Sequence, residues 1–559
     1  MSPLTLGFIT EDNKFINIVN LAAMVLLTAR AWSRVFSVQS TVAGSSRLAR
    51  RAASTQTAPA PDDGWELVVG LEIHAQLRTG RKLFSREISE PSRKLTSGSP
   101  LSYDEDANTN VALLDAAFPG TLPVIDPEAV RLSLMTAMAL GCKINPRSTF
   151  DRKHYFYHDI PPSYQITQHY NPIARDGIVR FEAGEGGVQR AFDVGIIQLQ
   201  IEQDTAKSQT VGGEVLVDLN RAGTGLMEIV TQPHMRSAEE AGAFVRKLQG
   251  LLRRVGSGDG DMEKGNLRVD ANVSVRRPGA PFATRCEIKN VNSVRFLQQA
   301  IEAERRRHIA HYEGNPGVPL KQETRGLNEL TGETYSLRSK EEAEDYRYMP
   351  DSNLPALALE QEYLQILQDG LPELPWSTVS RLAKTYGLDR RDVETLVHLD
   401  EYAGAGAAFF EEAAGGDKHL GKKVSNWIVH ELLGTLTKAD KPWSPDIVPA
   451  ALLSEIVTAV EGGKINGTTG RNVLKHVVSS GSSGNLDSLL QELGLASDST
   501  GDLDGLCQEV IAKLPKEADK VRKGNEKVVM RLVGEVMKMS KGTADAKRAR
   551  EVLLALLKP

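Results

Sequence analysis

The stretch that decides the fold runs from Val69 to Ser85 and reads V-G-L-E-I-H-A-Q-L-R-T-G-R-K-L-F-S. Apolar and polar residues alternate along its first half, which predicts a strand with one buried face. Glu72 and His74 then project from the same face, where a carboxylate and an imidazole can share a metal ion or a substrate. Because short alternations are common, an ordinary solvent-exposed strand face is the alternative interpretation.

The composition is that of a soluble globular protein with several domains. The 559 residues are 41% hydrophobic and 25% charged, and the formal net charge is −5. This charge balance argues against a nucleic-acid-binding protein whose whole surface is basic, and it allows a basic patch on one face. The three cysteines, Cys142, Cys286 and Cys507, form no C-x-x-C pair. Neither a zinc knuckle nor a disulfide framework is therefore predicted, and a reducing compartment fits best.

The N-terminal segment has the composition of a mitochondrial transit peptide. No acidic residue occurs from Asn13 to Pro61, and arginines are interspersed with Ser, Thr and Ala. The apolar run from about Ile16 to Leu27 is too short to span a bilayer, so no stable membrane insertion is expected. A secretory signal is the competing interpretation, but acidic residues precede the run and a long Arg-rich region follows it.

A second strand, Ile196 to Ile201, is predicted to end in a charged cluster. It leads into Glu202, Gln203 and Asp204 and then Lys207. Acidic residues at a strand end followed by a lysine suit a Mg²⁺–ATP site, because carboxylates hold the hard cation and the lysine meets a phosphate. A charged strand exit on an ordinary surface is the alternative.

Two further segments have features that suit nucleotide binding. Basic and aromatic residues are interleaved from Phe150 to Gln168, around Lys153, and this pattern can stack a base while neutralising phosphate. A packed aromatic turn with snorkelling basic residues is the alternative. The loop Asn220 to Gly225 contains two glycines that would allow close backbone approach to a phosphate. No G-x-x-x-x-G-K-[ST] pattern occurs, so a P-loop NTPase is excluded.

Polar residues also alternate along the segments that follow. Arg268 and Asp270 lie on one face of a predicted strand from Leu267 to Val275, and Glu287 and Lys289 alternate in the same way. One isolated polar strand face is usually solvated. Four such faces in one domain suggest a sheet whose polar side forms a large catalytic cavity.

These motifs closely resemble those of the B-type subunits of glutamyl-tRNA(Gln) amidotransferases, the GatB/GatE family, from about Trp65 to the C-terminus. The motifs that carry the resemblance are G-L-E-I-H-A-Q-L, F-D-R-K-H-Y-F-Y, I-E-Q-D-T-A-K-S, D-L-N-R-A-G-T-G-L-M-E-I-V and L-R-V-D-A-N-V-S-V-R.

The resemblance implies an α+β fold. A glutamine-synthetase-like cradle domain is followed by an all-α helical domain and a YqeY-like helical tail. The expected boundaries are transit peptide and linker at 1–62, cradle at 63–352, helical domain at 353–484 and tail at 485–559, with about 405–559 together YqeY-like.

The resemblance also implies the reaction. Glutamate misacylated on tRNA(Gln) is phosphorylated at its γ-carboxylate by ATP with Mg²⁺, and ammonia then displaces the phosphate. The A-type subunit of the amidotransferase, a glutaminase, releases the ammonia, and a small third subunit of the C-type or the fungal F-type tethers the complex. The expected compartment is the mitochondrial matrix.

Residue patterns and resemblance together give the expected site. The catalytic residues are Glu72, His74, Glu202, Asp204, Lys207, Arg268 and Asp270. The metal ligands among them are Glu72, His74, Glu202 and Asp204. The residues expected to bind ATP are Lys153, Lys207, Asn220 and Arg221. Two positions depart from the family pattern: Gln203, where a second Glu is frequent, and Pro162, where many relatives have Lys. A neutral amide at position 203 would weaken a metal site that used this position. Proline at position 162 cannot make the phosphate or tRNA contact that a lysine could make there.

The C-terminal half changes to amphipathic helical patterns, for example at Trp376–Tyr386 and Asp392–Tyr402. The run Ser479 to Asn485, S-S-G-S-S-G-N, is interpreted as a linker and not as an amidase signature, so this chain should not make its own ammonia. The segment Lys516 to Lys541 is dense in Lys and Arg and suits a tRNA backbone. A solvated helix face is the alternative. The expected tRNA contacts are Lys523, Lys527, Arg531, Lys538 and Lys541.

Three functions compete on the sequence alone. The first is an ATP-dependent amide-forming subunit that acts on tRNA-borne glutamate. The second is a tRNA-binding scaffold subunit of the same complex, without catalysis of its own. The third is a stand-alone ligase that acts on a small free acid. The polar strand faces argue against the second, and the basic tail and the missing ammonia-producing site argue against the third.

Overall fold

The computed structural model describes residues 7–9, 15–17, 63–85, 106–339, 345–482, 484–495, 503–540, 544 and 546–557. The chain divides into two compact units, Met1–Leu374 and Pro375–Pro559. Apart from two short strands, the expected transit peptide lies outside the described residues.

The first unit is a mixed α+β structure. Its described strands are β1 (Gly7–Ile9), β2 (Phe15–Asn17), β3 (Glu66–Gln76), β4 (Lys143–Ile144), β5 (Arg147–Ser148), β6 (Asp151–His154), β7 (Tyr164–Thr167), β8 (Ala174–Phe181), β9 (Phe192–Gln203), β10 (Lys207–Val211), β11 (Glu214–Asp218), β12 (Gly225–Thr231), β13 (Leu267–Arg276), β14 (Cys286–Ile288), β15 (Glu323–Asn328), β16 (Glu333–Ser339), β17 (Met349–Pro350) and β18 (Ala356–Ala358). Its described helices are α1 (Pro127–Ala139), α2 (Ala238–Val255), α3 (Val294–Gly314) and α4 (Gln361–Asp369).

A nine-stranded sheet organises this unit, in the order β16-β15-β14-β13-β3-β12-β9-β8-β4. Neighbouring strands are antiparallel except β14 and β15, which are parallel. The predicted strand at Val69 is β3, the middle strand of the sheet. Its residues Val69, Leu71 and Ile73 are no more than 1% exposed, and burying them supplies the hydrophobic stabilisation of the sheet. The polar residues between them lie on the opposite face.

Local signals explain where the helices of this unit begin and end. Asp126 caps α1 by accepting a hydrogen bond from the Glu128 N–H group, and Pro127 is favourable at the first helical position. Ser237 caps α2 by accepting from the Glu240 N–H group, and Ser237 and Glu240 have the spacing of a capping box.

Three smaller sheets complete the first unit. The sheet β17-β6-β7 contains the predicted basic and aromatic segment, and the hairpin β10-β11 follows the charged end of β9. The fourth sheet has the order β2-β1-β18-β5. A two-stranded hairpin has little stability of its own, and β10 and β11 are mostly exposed.

The second unit is helical throughout its described residues. Its α-helices are α5 (Pro375–Tyr386), α6 (Arg390–His398), α7 (Ala405–Ala414), α8 (Lys418–Asn426), α9 (Leu433–Lys438), α10 (Ala450–Glu461), α11 (Gly467–Ser480), α12 (Leu486–Glu492), α13 (Leu503–Lys513), α14 (Pro515–Arg522), α15 (Val529–Met539) and α16 (Ala546–Leu557), with a π-helical segment at Trp427–Leu432. One hydrophobic cluster spans Val379 to Leu495, and a second spans Cys507 to Leu557.

The predicted α+β class is confirmed, and so is the helix predicted at Trp376–Tyr386. The helix predicted at Asp392–Tyr402 ends earlier, at His398, because Glu401 and Tyr402 have positive φ angles, which an α-helix does not accommodate. The Ser/Gly run connects α11 and α12, and α12 belongs to the same hydrophobic cluster as α11. No helix in the described ranges is both long enough and apolar enough to cross a bilayer.

Candidate active site

Strand register places polar residues in a row across the central sheet. Gln200 of β9 lies opposite Glu228 of β12, Glu228 lies opposite His74 of β3, and His74 lies opposite Arg268 of β13. Directly paired residues project to the same face. The row therefore crosses four strands on the side of the sheet opposite its apolar residues.

A cavity of about 470 Å³ opens over this row. His74, Arg268 and Asp270 line its floor, and Lys153 and Gln165 enter from β6 and β7. Another side is lined by Lys289 to Asn292 and by Met262, Glu263 and Gly265. The polar strand faces thus form one cavity, as the alternations predicted.

His74, Glu202 and Glu228 form the first carboxylate group, and His74 and Glu202 line the cavity. One potential ligand atom from each lies within 4.8 Å of the others. Burial lowers the pKa of His74, which favours the neutral imidazole that metals bind. Burial, with Glu202 and Glu72 nearby, raises the pKa of Glu228 well above its usual range. A cation beside both carboxylates would favour the ionised form of Glu228.

An unsatisfied atom points to the same conclusion. The Oε2 atom of Glu202 is buried and has no hydrogen-bond partner among the described residues, although burying a carboxylate oxygen without a partner is costly. The other oxygen lies 3.7 Å from the Lys153 Nζ atom. Two carboxylates and a neutral imidazole around an orphaned oxygen fit a divalent cation, with Mg²⁺ satisfied by the oxygens.

Glu72 and Asp270 form a second group, which also includes His74. Lys289 offsets the negative charge of this group, because its Nζ atom lies 2.6 Å from Asp270. The same atom lies 3.3 Å from Glu287, outside the group. Burial and the Asp270 charge raise the pKa of Glu72. Glu72 and His74 are therefore together, as their spacing predicted, but Glu202 is in the other group.

Asp204 lies apart from both groups as the structure describes them. Its carboxylate accepts a hydrogen bond of 2.9 Å from Arg268 and lies 3.6 Å from Arg221. Burial opposes its charge, but these two arginines hold its pKa below the usual range. The four-residue metal set expected from the sequence is thus divided, with Glu228 in the place assigned to Asp204.

Lys153 is the cation deepest among these carboxylates. Burial opposes its charge, but Glu202 and Glu228 hold its pKa above the usual range. Its Nζ atom also lies 5.1 Å from the centre of the Tyr346 ring. A permanently charged lysine in this position can neutralise a phosphoryl group.

Three residues assigned to nucleotide binding do not line this cavity. Lys207 is exposed on β10, opposite Asp218. Asn220 accepts from the Asn110 N–H group and donates to the Asp106 carbonyl oxygen. Arg221 donates to the carbonyl oxygens of Thr205 and Ala206. The side chains of Asn220 and Arg221 hold the loops beside the cavity together.

Gly223 permits a close approach by a protein side chain. Its φ is +77°, and a Cβ atom there would overlap the carboxylate of Asp115. Lys82 pairs with Asp115 at 3.4 Å and donates to the carbonyl oxygens of Leu219 and Ala222. The space that the sequence suggested for a phosphate is thus filled by Asp115.

The Gln203 side chain is bound to β7 and belongs to neither carboxylate group among the described residues. Its side-chain oxygen accepts a hydrogen bond from the Ile166 N–H group in β7, and its carbonyl oxygen accepts from the Gln165 amide. The Gln203 side chain therefore ties β9 to β7. Pro162 lies in the connection between β6 and β7.

Sequence patterns singled out neither Glu228 nor Gln165 as site residues. Glu228 lies in an apolar run, G-L-M-E-I-V-T, without alternation to show which face it uses. Strand pairing reveals its role because it places Glu228 beside His74.

Comparisons with known proteins agree with this architecture. The model of the GatB/GatE catalytic domain matches residues 67–365, and a GatB domain model matches residues 408–557. The mitochondrial B-type subunit of glutamyl-tRNA(Gln) amidotransferase from Cryptococcus neoformans is 64% identical over 503 residues, which cover 89% of this chain and 94% of that one. The protein of the same name in Laccaria bicolor is 44% identical, over 88% of this chain and 92% of its own.

A bacterial relative shows the same extent of similarity. The B-type subunit of aspartyl/glutamyl-tRNA(Asn/Gln) amidotransferase from Xanthobacter autotrophicus is 42% identical over 499 residues, 88% of this chain and 96% of that one. The matches include both the central sheet with its polar row and the C-terminal helices. The chain therefore belongs to the GatB/GatE family of tRNA-dependent amidotransferase subunits.

Proposed function

We propose that this chain carries the kinase and amide-forming site of a glutamyl-tRNA(Gln) amidotransferase. A γ-carboxylate oxygen of tRNA-borne glutamate attacks the γ-phosphorus of ATP, and ADP leaves. Ammonia then attacks the γ-carbonyl carbon of this acyl phosphate, phosphate leaves, and a proton is released from the nitrogen. A free carboxylate would have to lose oxide, which is a poor leaving group. Phosphorylation replaces oxide with phosphate as the leaving group, so that ammonia can form the amide.

The observation that carries the proposal is the buried carboxylate group with its orphaned Glu202 oxygen. Glu202, Glu228 and His74 would hold Mg²⁺, which would neutralise phosphoryl charge when bound. Lys153 and Arg268 line the same cavity and supply fixed positive charge. Such preorganised cations stabilise the charge that develops in the transition state.

The chain's partners follow from this chemistry. Its ammonia would come from the A-type glutaminase subunit, and a small third subunit of C-type or F-type would complete the complex. The fungal relatives are named mitochondrial, and together with the acid-free N-terminal segment this supports the mitochondrion, with the matrix as the compartment.

The test compares two Glu→Gln variants in the purified complex. Glu202→Gln removes a charge from the carboxylate group, and Glu214→Gln removes one from the exposed hairpin. ADP release that depends on glutamyl-tRNA(Gln) should fall roughly a thousandfold in the first variant and stay unchanged in the second. Full activity of Glu202→Gln would instead favour a scaffold role, and activity on free glutamate would favour a stand-alone ligase.

A further inference from the structure

Three ring-bearing side chains in a row lie on the connection between β6 and β7. Phe156, Tyr157 and His158, here called the aromatic loop, are all exposed. Phe156 is 85% exposed and Tyr157 is 55% exposed. The Tyr157 and His158 rings lie against each other, with centroids 4.1 Å apart. Planar rings open to solvent offer a surface on which a nucleic-acid base can stack.

The aromatic loop is anchored at the rim of the cavity. Tyr155, which precedes it directly, lines the cavity. On the other side, the Asp159 carbonyl oxygen accepts a hydrogen bond of 2.8 Å from the Ala206 N–H group, and Thr205 lines the cavity. Ile160 is only 4% exposed and fixes the end of the loop in the protein. The rings are therefore held beside the opening.

The substrate's own dimensions put one base at this rim. The glutamyl group is esterified to the terminal ribose of its tRNA, and the proposed function requires its γ-carboxylate to reach Glu202 and Glu228. Only the glutamyl chain separates the ribose from that point. The 3′-terminal adenosine must then lie at the cavity opening.

We propose that the aromatic loop is the stacking platform for the 3′-terminal adenine of the aminoacylated tRNA. This inference rests on the proposed function. The adenine of ATP is the other base in the reaction, but a triphosphate is a longer link to the reacting atoms than a glutamyl chain. Arg221 supports this assignment. It lies at the same rim, where it donates to the carbonyl oxygens of Thr205 and Ala206. From there its charge can contact the phosphodiester that precedes the terminal adenosine.

Two small probes isolate the base. The first is adenosine carrying glutamate on its 3′ position through a stable amide bond, and the second is the same molecule without its base. We expect the first to inhibit wild-type amidation more strongly by roughly five- to a hundredfold, the range that stacking on aromatic side chains supplies. In the double variant F156A/Y157A this difference should vanish, while Phe156→Trp should preserve it.

Phe282→Ala is the matched control, because Phe282 is another exposed aromatic residue, 60% exposed, with its ring against Arg276. It should keep the wild-type preference for the probe with the base. A tenfold rise in the KM for ATP in F156A/Y157A, with the probe preference intact, would assign the rings to ATP and overturn the proposal. So would dissociation of the complex, since the rings would then bind a partner protein.

Failure of the proposed function has a different signature. If the wild-type complex shows no glutamyl-tRNA-dependent ADP release, the kinase assignment itself is wrong. If that release is normal and wild type fails to distinguish the two probes, only the stacking platform is wrong.

Discussion

Glu72 and His74 lie on one face of β3, and His74 is common to both acidic groups. His74 contributes a potential ligand atom to each group, and Glu72 belongs to the group with Asp270. Because their strand neighbours Leu71 and Ile73 make the buried face, changes at Glu72 and His74 alter the cavity without removing apolar core.

His74→Ala should abolish amidation while the complex still assembles and still hydrolyses glutamine. Loss of a ligand or of a positioned donor near the reacting phosphate should cost roughly a thousandfold in rate. Glu72→Ala should have the same result. Both are measured as amide formation on glutamyl-tRNA(Gln), beside glutaminase activity and size-exclusion elution of the complex.

His234→Ala is the matched control, because His234 is exposed. It should amidate normally. Near wild-type amidation by His74→Ala would move the reacting centre to Asp204 and Arg268, and dissociation of that variant's complex would make His74 a structural residue.

Alternation predicted which strand residues share the polar face, but it could not predict which residues meet across strands. His74 and Glu202 both line the cavity. The pairing of β12 with β3 and β9 places Glu228 beside His74, and it depends on contacts far apart in sequence. Asp204 pairs with Arg221 and Arg268, and alternation could not predict those partners either.

At the scale of single elements, the first turn of α1 is stabilised by a carboxyl group in an apolar setting. The Oδ1 atom of Asp126 accepts from the Glu128 N–H group, and its Oδ2 atom is buried without a partner among the described residues. Burial raises the pKa of Asp126 to about 6. A raised pKa in the folded state favours the protonated acid, so its stabilising contribution is present at low pH and is lost as pH rises through about 6.

Asp126→Asn should therefore be more stable than wild type above about pH 6, by no more than about 3 kcal/mol. Asn keeps a capping oxygen and removes the buried charge. The advantage should shrink as the pH falls toward about 4. Denaturant midpoints measured at several pH values test this, with Asp417→Asn, at the exposed cap of α8, as the control. A constant difference across the range would contradict the assignment.

Helix α3 is fixed to the sheet edge by one buried carboxylate. Glu304 is fully buried and contacts Arg307 at 2.8 Å, Arg325 at 3.0 Å and His308 at 3.1 Å. Burial opposes its charge, but hydrogen bonds from His308 and Arg307 hold its pKa far below the usual range. With Cys286 this cluster has metal-ligand chemistry, but the guanidinium groups already supply the positive charge.

Glu304→Gln should destabilise the first unit by about 3–5 kcal/mol, because it removes a fully buried charge that pairs with Arg307 and Arg325. Glu302→Gln, two residues earlier on α3 and 42% exposed in its pair with Arg305, should cost less than about 1 kcal/mol. Denaturant unfolding of both variants measures the difference. Equal stability of the two would show that the buried network contributes nothing to anchoring α3.

At the scale of the whole molecule, helical periodicity predicted a helical C-terminal half, and the described residues from Pro375 onward contain helices and no strand. Helix α4 has helical periodicity, yet Tyr363, Leu364 and Leu367 are buried within the first unit. Likewise α12 follows the Ser/Gly run but joins the cluster that ends at Leu495. Periodicity identifies helices, whereas a division depends on which apolar faces pack together, and that is a tertiary property.

The second hydrophobic cluster of the C-terminal unit carries the residues expected to contact tRNA. Lys523, Lys527, Arg531 and Lys538 are all exposed, and Lys541 lies outside the described residues. Lys527, Arg531 and Lys538 are spaced by four and seven residues, so they share one side of α15 and the turn before it. Exposed cations along one side can follow a phosphate backbone.

Replacing these four exposed residues with Gln should weaken tRNA binding and leave γ-phosphoryl formation at saturating tRNA unchanged. The core of the cluster, including Leu532 and Val536, is untouched, so the helices should still fold. If each cation neutralises one phosphate, the dependence of log affinity on log salt concentration should become shallower by roughly three to four. A control that replaces Lys143 and Lys321, exposed in the first unit, should keep the wild-type slope. Unchanged affinity at low salt in the fourfold variant would make this side of α15 an ordinary solvated face, and tRNA would then have to be bound through the cavity and its rim.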